Sequence, residues 1–188
     1  MPDFTALGCD TLNQFFDFCR KLEYGWVDAA GRRRKDPNHS PEYHLQTPIE
    51  TISRRIAICW DQTELQRAWF ITHNYDCFSL LIYYDLDNSC PAHSILVYRE
   101  GKQYCWFEPM FNQTQVYYCG IHKYGTIAKL ISHLRTKFVC NGQESGYLPK
   151  NFDIRRLQLY EYNQPTYGIN DVEFFKHCQR GRKLLFPA

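Results

Sequence analysis

No stretch of the sequence approaches the roughly 20 consecutive apolar residues that a membrane-spanning helix needs. The opening Met1-Pro2-Asp3-Phe4 has neither the basic nor the apolar segment of a secretory leader. The chain is therefore expected to be neither membrane-inserted nor exported by a signal peptide. Charge of one sign is also scarce: the formal net charge is +2, which gives no long-range field favouring nucleic acid or an anionic membrane as partner. The one basic run, Arg32-Arg33-Arg34-Lys35, sits between Gly31 and Asp36-Pro37-Asn38. It reads as a solvated loop, with a partner-binding patch as the other reading. Internal repeats, low-complexity tracts and linkers rich in Pro, Gly or Ser are missing too, so the 188 residues read as one domain spanning 1–188.

Aromatic residues, by contrast, are plentiful. The 13 Phe, 14 Tyr and 4 Trp lift the apolar fraction to 44%, enough buriable surface to offset chain entropy without covalent staples. Nine cysteines are an odd number in a chain long enough to build its own core, and their spacing does not match the dense framework of a small secreted domain. They read as mostly reduced thiols, which places the protein in the cytoplasm.

Hydrophobic spacing predicts a sequence of elements. Leu12, Phe15, Phe16, Cys19 and Leu22 recur at helical period behind Asp10-Thr11. Thr47-Pro48-Ile49-Glu50 is a capping box with proline at the first helical position, opening a short helix expected to bury Ile49, Ile52 and Ile56. From Trp60 to about Tyr75, Leu65, Ala68, Trp69 and Thr72 share one face while Asp61, Glu64 and Arg67 take the others, so Cys59 falls at the N-terminus of an amphipathic helix. Phe78–Tyr84 reads as a strand ending in the turn-rich segment 85–89. Ala92–Arg99 and Lys102–Glu108 read as a hairpin around Glu100-Gly101. Thr126 caps a helix with Ile127, Leu130, Ile131, Leu134 and Phe138 on one stripe. Asn141–Pro149 is then a loop, Phe152–Tyr162 a strand and Asp171–Gln179 a last helix. This order favours an α+β fold, with helices packed on a central antiparallel sheet.

The hairpin brings chemistry together. With its turn at Glu100-Gly101, Arg99 faces Lys102 and His93 faces Glu108, close enough for a carboxylate-to-imidazole hydrogen bond. An acid that fixes the tautomer of a His, and steadies its imidazolium, is half of a nucleophile-activating arrangement. Cys59 supplies the other half, because a helix N-terminus and a nearby imidazolium both favour thiolate, and its own N–H can serve an oxyanion. On spacing alone other readings stay open. A cysteine can be a small buried hydrophobe, and a His facing a Glu a satisfied cross-strand pair. Cys90-Pro91-Ala92-His93 with Cys119-Gly120-Ile121-His122 could also form a Cys₂His₂ zinc site.

Cys59-Trp60-Asp61-Gln62, His93 on Ile95-Leu96-Val97-Tyr98, and Trp106-Phe107-Glu108-Pro109 resemble the transglutaminase-like superfamily. There a Cys-Trp opens a helix, a His lies on a strand, and an Asp-Pro closes the next strand of a papain-like fold. Tyr43, Leu45, Gln46, Thr47 and Pro48, with Gly120-Ile121-His122-Lys123-Tyr124, are similar to small bacterial and phage-type members. The resemblance covers about Tyr24 to Phe138, leaving the strand and helix within 152–181 as an appendage. It implies Cys59 as nucleophile, His93 as base and Glu108, where the superfamily mostly has Asp, as the orienting acid.

The substrate site is assigned to Trp60, Gln62 and His122. For Trp60 a wall of the site and a core position are both open, as are the site or solvent for Gln62 and the cleft or a turn for His122. The expected chemistry is acyl transfer through a thioester on a protein or peptide substrate or a small amide, with no metal or other cofactor. Water as acceptor would make a protease or amidase, an amine a transglutaminase, and hydrolysis is the preferred expectation. A catalytically silent papain-like module that binds or assembles with a partner is the rival from another class.

Overall fold

The computed structural model describes residues 2–28, 30–35, 42–86, 90–109 and 119–187. Residues 36–38, expected as loop, and 87–89 of the expected turn lie outside the described residues. The chain is α+β. A first helix, α1 (Leu12–Arg20), starts at a Thr11 capping box completed by Gln14. Two-residue strands follow: β1 (Glu23–Tyr24), β2 (Trp26–Val27) and β3 (Arg33–Arg34). The second helix, α2 (Pro48–Arg54), opens on the expected Thr47–Glu50 box. It leads through β4 (Ile56–Ala57) into α3 (Cys59–Thr72). Strands β5 (Cys77–Tyr84), β6 (Ala92–Glu100), β7 (Gln103–Glu108) and β8 (Gly120–Tyr124) come next. The chain closes with α4 (Ile127–Glu144), β9 (Leu157–Tyr162), α5 (Asp171–Gln179) and β10 (Arg182–Lys183).

The main sheet has six strands in the order β10-β9-β5-β6-β7-β8, every neighbouring pair antiparallel. Alternation along its strands divides the core in two. Leu96, Tyr98, Cys105 and Phe107 pack with Phe15, Trp69 and Phe70 of α1 and α3. Leu80, Ile82, Ile95, Val97 and Trp106 meet Leu130, Ile131, Leu134 and Phe138 of α4. A third cluster joins the start of α3 to α5 through Trp60, Leu81, Tyr162 and Phe174. β9 pairs with β5 over Ser79–Tyr84, so the C-terminal segment expected as an appendage is built into the sheet. Among the described residues no helix is long and apolar enough to cross a membrane.

Several expectations need correction. Ile49 is 58% exposed, Ile52 is half-buried, and Ile56 is buried but in β4 rather than in the helix. The basic run is not a free loop. Arg33 and Arg34 form β3 against β2, Arg32 and Arg34 bind the Asp28 carboxylate at 2.8 and 3.1 Å, and Arg33 and Lys35 pair with Glu23. Helix α4 continues past Asn141 to Glu144, because Leu148 folds back over Gly142, where an added Cβ would lie 2.4 Å from its side chain. The strand expected at Phe152 begins only at Leu157, after a 3₁₀ turn over Ile154–Arg156.

The largest correction concerns α3. Every residue from Cys59 to Phe70 is buried, including the Asp61, Glu64 and Arg67 expected on outward faces. Glu64 and Arg67 form a two-point ion pair, Nε to Oε2 at 3.0 Å and Nη2 to Oε1 at 3.2 Å, and Arg67 also donates to the Tyr162 carbonyl at 3.4 Å. Burial nonetheless pushes the Glu64 carboxyl up to about 7. Pairing makes such burial tolerable, since unpartnered charges in this position would cost several kcal/mol.

The segment ahead of α3 is fixed by backbone pairing. β1 runs parallel to β4, with Tyr24 beside Ala57, and Gly25, at φ +153°, would place a Cβ 2.3 Å from the Arg34 carbonyl oxygen. Gly25→Ala should therefore cost about 2 kcal/mol or more of stability, read as a lowered urea midpoint at unchanged slope. A wild-type midpoint would mean that this corner relaxes freely.

Candidate active site

The hairpin turn is displaced from its expected place. Glu100 pairs with Gln103, so Gly101 and Lys102 form the turn, with Gly101 at φ +59°. The register therefore slips by two: Arg99 faces Tyr104 and Leu96 faces Phe107. Carried one residue further, this sets Glu108 beside Ile95, not directly opposite His93 as expected. A slip of two leaves every side chain on its face, because the strand period is two. His93 and Glu108 thus remain diagonal neighbours at the open end of the hairpin. His93 Nε2–H donates to Glu108 Oε2 at 2.8 Å, and the Trp106 indole N–H donates to the same oxygen at 3.2 Å.

Cys59 reaches this end of the sheet at the first position of α3. The His93 ring lies close enough to the Cys59 sulfur for the two to act on each other's charge, while its Nε2 is engaged by Glu108. Tyr24, from β1, packs into the same cluster as Cys59 and is a second neighbour of its sulfur. The environment sets the charge of the ring. Burial disfavours the imidazolium, but the Glu108 carboxylate and the neighbouring Cys59 sulfur outweigh it and lift His93 to about 9. At neutral pH the ring is thus held protonated between a carboxylate and a sulfur.

The N-terminus of α3 is clamped by its own third residue. Asp61 is buried, and its Oδ1 accepts from the Tyr43 hydroxyl at 2.9 Å and the Gln46 backbone N–H at 2.9 Å. Its Oδ2 accepts from the Ile58 N–H at 3.1 Å. Burial raises this carboxyl to about 6 against the pull of those donors. Gln46 Nε2 in turn donates to the Ile56 carbonyl at 3.0 Å. The stretch Tyr43–Thr47 thereby holds the turn that presents Cys59.

The residues assigned to a substrate site fall differently. Trp60 is 2% exposed, stacked on Phe174 at 4.4 Å with Tyr43 and Phe175 edge-on, which is the core alternative. Gln62 is buried and donates to the Ala57 carbonyl at 3.3 Å, so it does not face solvent. His122 lies on β8, not in a turn, opposite Trp106 with ring centroids 5.0 Å apart, and so backs the indole that holds Glu108. Of the two Cys-x-x-His pairs, His93 is engaged by Glu108 and Cys90 is exposed. Among the described residues no group of three or more His, Cys, Asp or Glu is placed to hold a metal ion.

Two further residues join the site that sequence reasoning missed. Trp106 was legible in Trp-Phe-Glu-Pro, two positions before the acid on the same strand face. Tyr24 carried no local signal, because only the parallel pairing of two very short strands brings it to Cys59.

The raised His93 fixes a sign for stability against pH. Its contribution is fully present below about 6.5, the unfolded value, and is lost as pH rises through about 9. Urea unfolding should show wild type losing up to about 3 kcal/mol between these limits and His93→Asn losing much less. Parallel slopes in the two proteins would remove the ion pair. No protein-family model and no curated protein sequence matches the chain, so what the site does has to be read from its own geometry.

Proposed function

We propose that the protein is a cysteine-dependent acyl-transfer enzyme of papain-like, transglutaminase-like type, with Cys59 as nucleophile, His93 as acid and base and Glu108 as orienting carboxylate. The observation that carries this reading is the convergence, from three separate elements, of a helix-N-terminal thiol, a His beside it and a carboxylate hydrogen-bonded to that His. The Cys59 sulfur attacks an amide or ester carbonyl. The proton held on His93 passes to the leaving amine or alcohol, leaving a thioester, and His93, now neutral, draws a proton from water to release the acid. The water-accepting, protease or amidase outcome is preferred to amine transfer. The substrate is a protein, a peptide or a small amide, and the setting a cytoplasmic one.

One observation favours a second reading. Cys59, His93 and Glu108 are only 6%, 7% and 3% exposed, which also suits a catalytically silent scaffold that binds a partner. Iodoacetamide at neutral pH separates the two. In an enzyme Cys59 should label well before the other eight cysteines, whereas labelling in order of exposure, led by Cys90 and Cys140, would favour the scaffold.

On any substrate the enzyme turns over, Cys59→Ala should abolish activity and leave folding intact. Glu108→Gln should lower kcat about 10²- to 10⁴-fold with KM little changed, and Glu108→Asp should restore part of the loss. A wild-type rate in Glu108→Gln would reduce the triad to a Cys59–His93 dyad. The alkaline limb of the kcat profile should fall near pH 9, as His93 loses its proton.

A further inference from the structure

Tyr24 has no part in the triad, yet it is paired beside Ala57, two residues before the nucleophile, packs into the cluster that holds Cys59, and its phenol lies within the field of Cys59 and Glu108. Its placement is not incidental. Glu23 N–H donates to the Arg55 carbonyl at 2.9 Å and Gly25 N–H to the Ala57 carbonyl at 3.3 Å, so the residue between them is tied on both sides to the segment that enters α3. At Gly25 the Arg34 carbonyl takes the space a side chain would need, so the chain passes close to β3 there. The ring packs against the cluster of Trp26, Tyr43, Cys59 and Trp60. Burial and the neighbouring sulfur keep the phenol protonated far above neutrality, so it is permanently a donor.

A thioester-forming attack needs such a donor. As the bond from Cys59 Sγ to the substrate carbon forms, the carbonyl π pair moves onto oxygen. That anion has to be held until the bond to the leaving group breaks, the pair returns and His93 has delivered its proton. One donor is at hand: the Cys59 backbone N–H, at the first position of α3, has no acceptor within the helix, while the N–H before it, on Ile58, is taken by Asp61. The developing oxygen is bonded to the carbon that the sulfur attacks, so a phenol neighbouring the sulfur stands close to the place where that oxygen forms. We propose that Tyr24 is a catalytic residue of this site. Its hydroxyl, beside the Cys59 sulfur, donates a hydrogen bond to the oxyanion, as second donor beside the Cys59 N–H. The inference rests on the acyl-transfer reading given above.

Two reagents directed at the same sulfur test it. p-Nitrophenyl acetate acylates Cys59 through a tetrahedral oxyanion, whereas iodoacetamide alkylates it by displacement at a saturated carbon, where no oxyanion forms. Both rates are followed by intact mass and peptide mapping, in wild type and Tyr24→Phe, on the plateau of each pH profile where the thiolate is fully formed. Acylation should fall about 10²- to 10³-fold in the variant, with alkylation changed by less than about threefold. Equal losses in both reactions would make Tyr24 a support of the thiolate or of the fold and overturn the proposal, as would unchanged acylation. A wild-type Cys59 that reacts with neither reagent ahead of the other cysteines would instead overturn the acyl-transfer reading, and the oxyanion donor with it.

Discussion

The site depends first on a buried carboxylate that takes no part in the chemistry. Asp61 sits at the third position of α3, where a negative charge complements the helix dipole, and its two oxygens gather three donors from three places in the chain. Burying a carboxylate is costly, and its raised protonation midpoint of about 6 records that cost. The return is positional. Tyr43 and Gln46 are fastened to the turn at Ile58, Gln46 reaches on to Ile56, and Thr47, next in line, opens α2. The residue that follows Ile58 is the nucleophile, so its backbone has little freedom left.

The same economy recurs further along α3. Glu64 and Arg67 saturate each other and then reach Tyr162 of β9, whose hydroxyl meets Ser94 of β6. Ser94 adjoins His93, so the strand carrying the ring is braced on one face by this polar chain and on the other by Glu108 and Trp106. Buried polar groups of this kind add less to stability than to uniqueness, because a misplaced strand would leave charges without partners. They also explain why α3 can be covered on every side while half its residues are polar: the C-terminal strand and helix complete its surroundings, and the pairs it forms inside replace solvent.

How much of this could be read in advance divides along physical lines. The helix start at Asp10-Thr11, the capping box at Thr47, the cap at Thr126 and the apolar stripe of α4 were legible because they are local, set by residues three or four apart. The meeting of His93 with Glu108 was legible despite the wrong register, since a strand's side-chain period of two preserves the face under a slip of two. What could not be read was tertiary cover. The period of α3 suggests a solvent face at Glu64 and Arg67, and nothing nearby announces that β9 and α5 return to bury it. Tyr24 was invisible for a related reason: β1 and β4 are two residues each, and neither has enough length to show a pattern.

The slipped register also accounts for the identity of the acid. Directly opposed residues of an antiparallel pair have their Cβ atoms about 4.5 to 5.5 Å apart, whereas diagonal neighbours stand about 7 to 8 Å apart. Had the turn fallen at Glu100-Gly101, an aspartate would span the shorter gap. Because Gly101 takes the first central position of the turn, with Lys102 the second, position 108 stands diagonal to His93. A glutamate's additional methylene suits that longer reach, and with it Oε2 arrives 2.8 Å from Nε2. A longer arm has more rotamers to lose, and the Trp106 N–H on the same oxygen, with His122 packed behind the indole, restricts them. Glutamate, the tryptophan two residues before it and the placement of one glycine are thus a single solution to holding one imidazole, and changing any of the three alters what the other two must do.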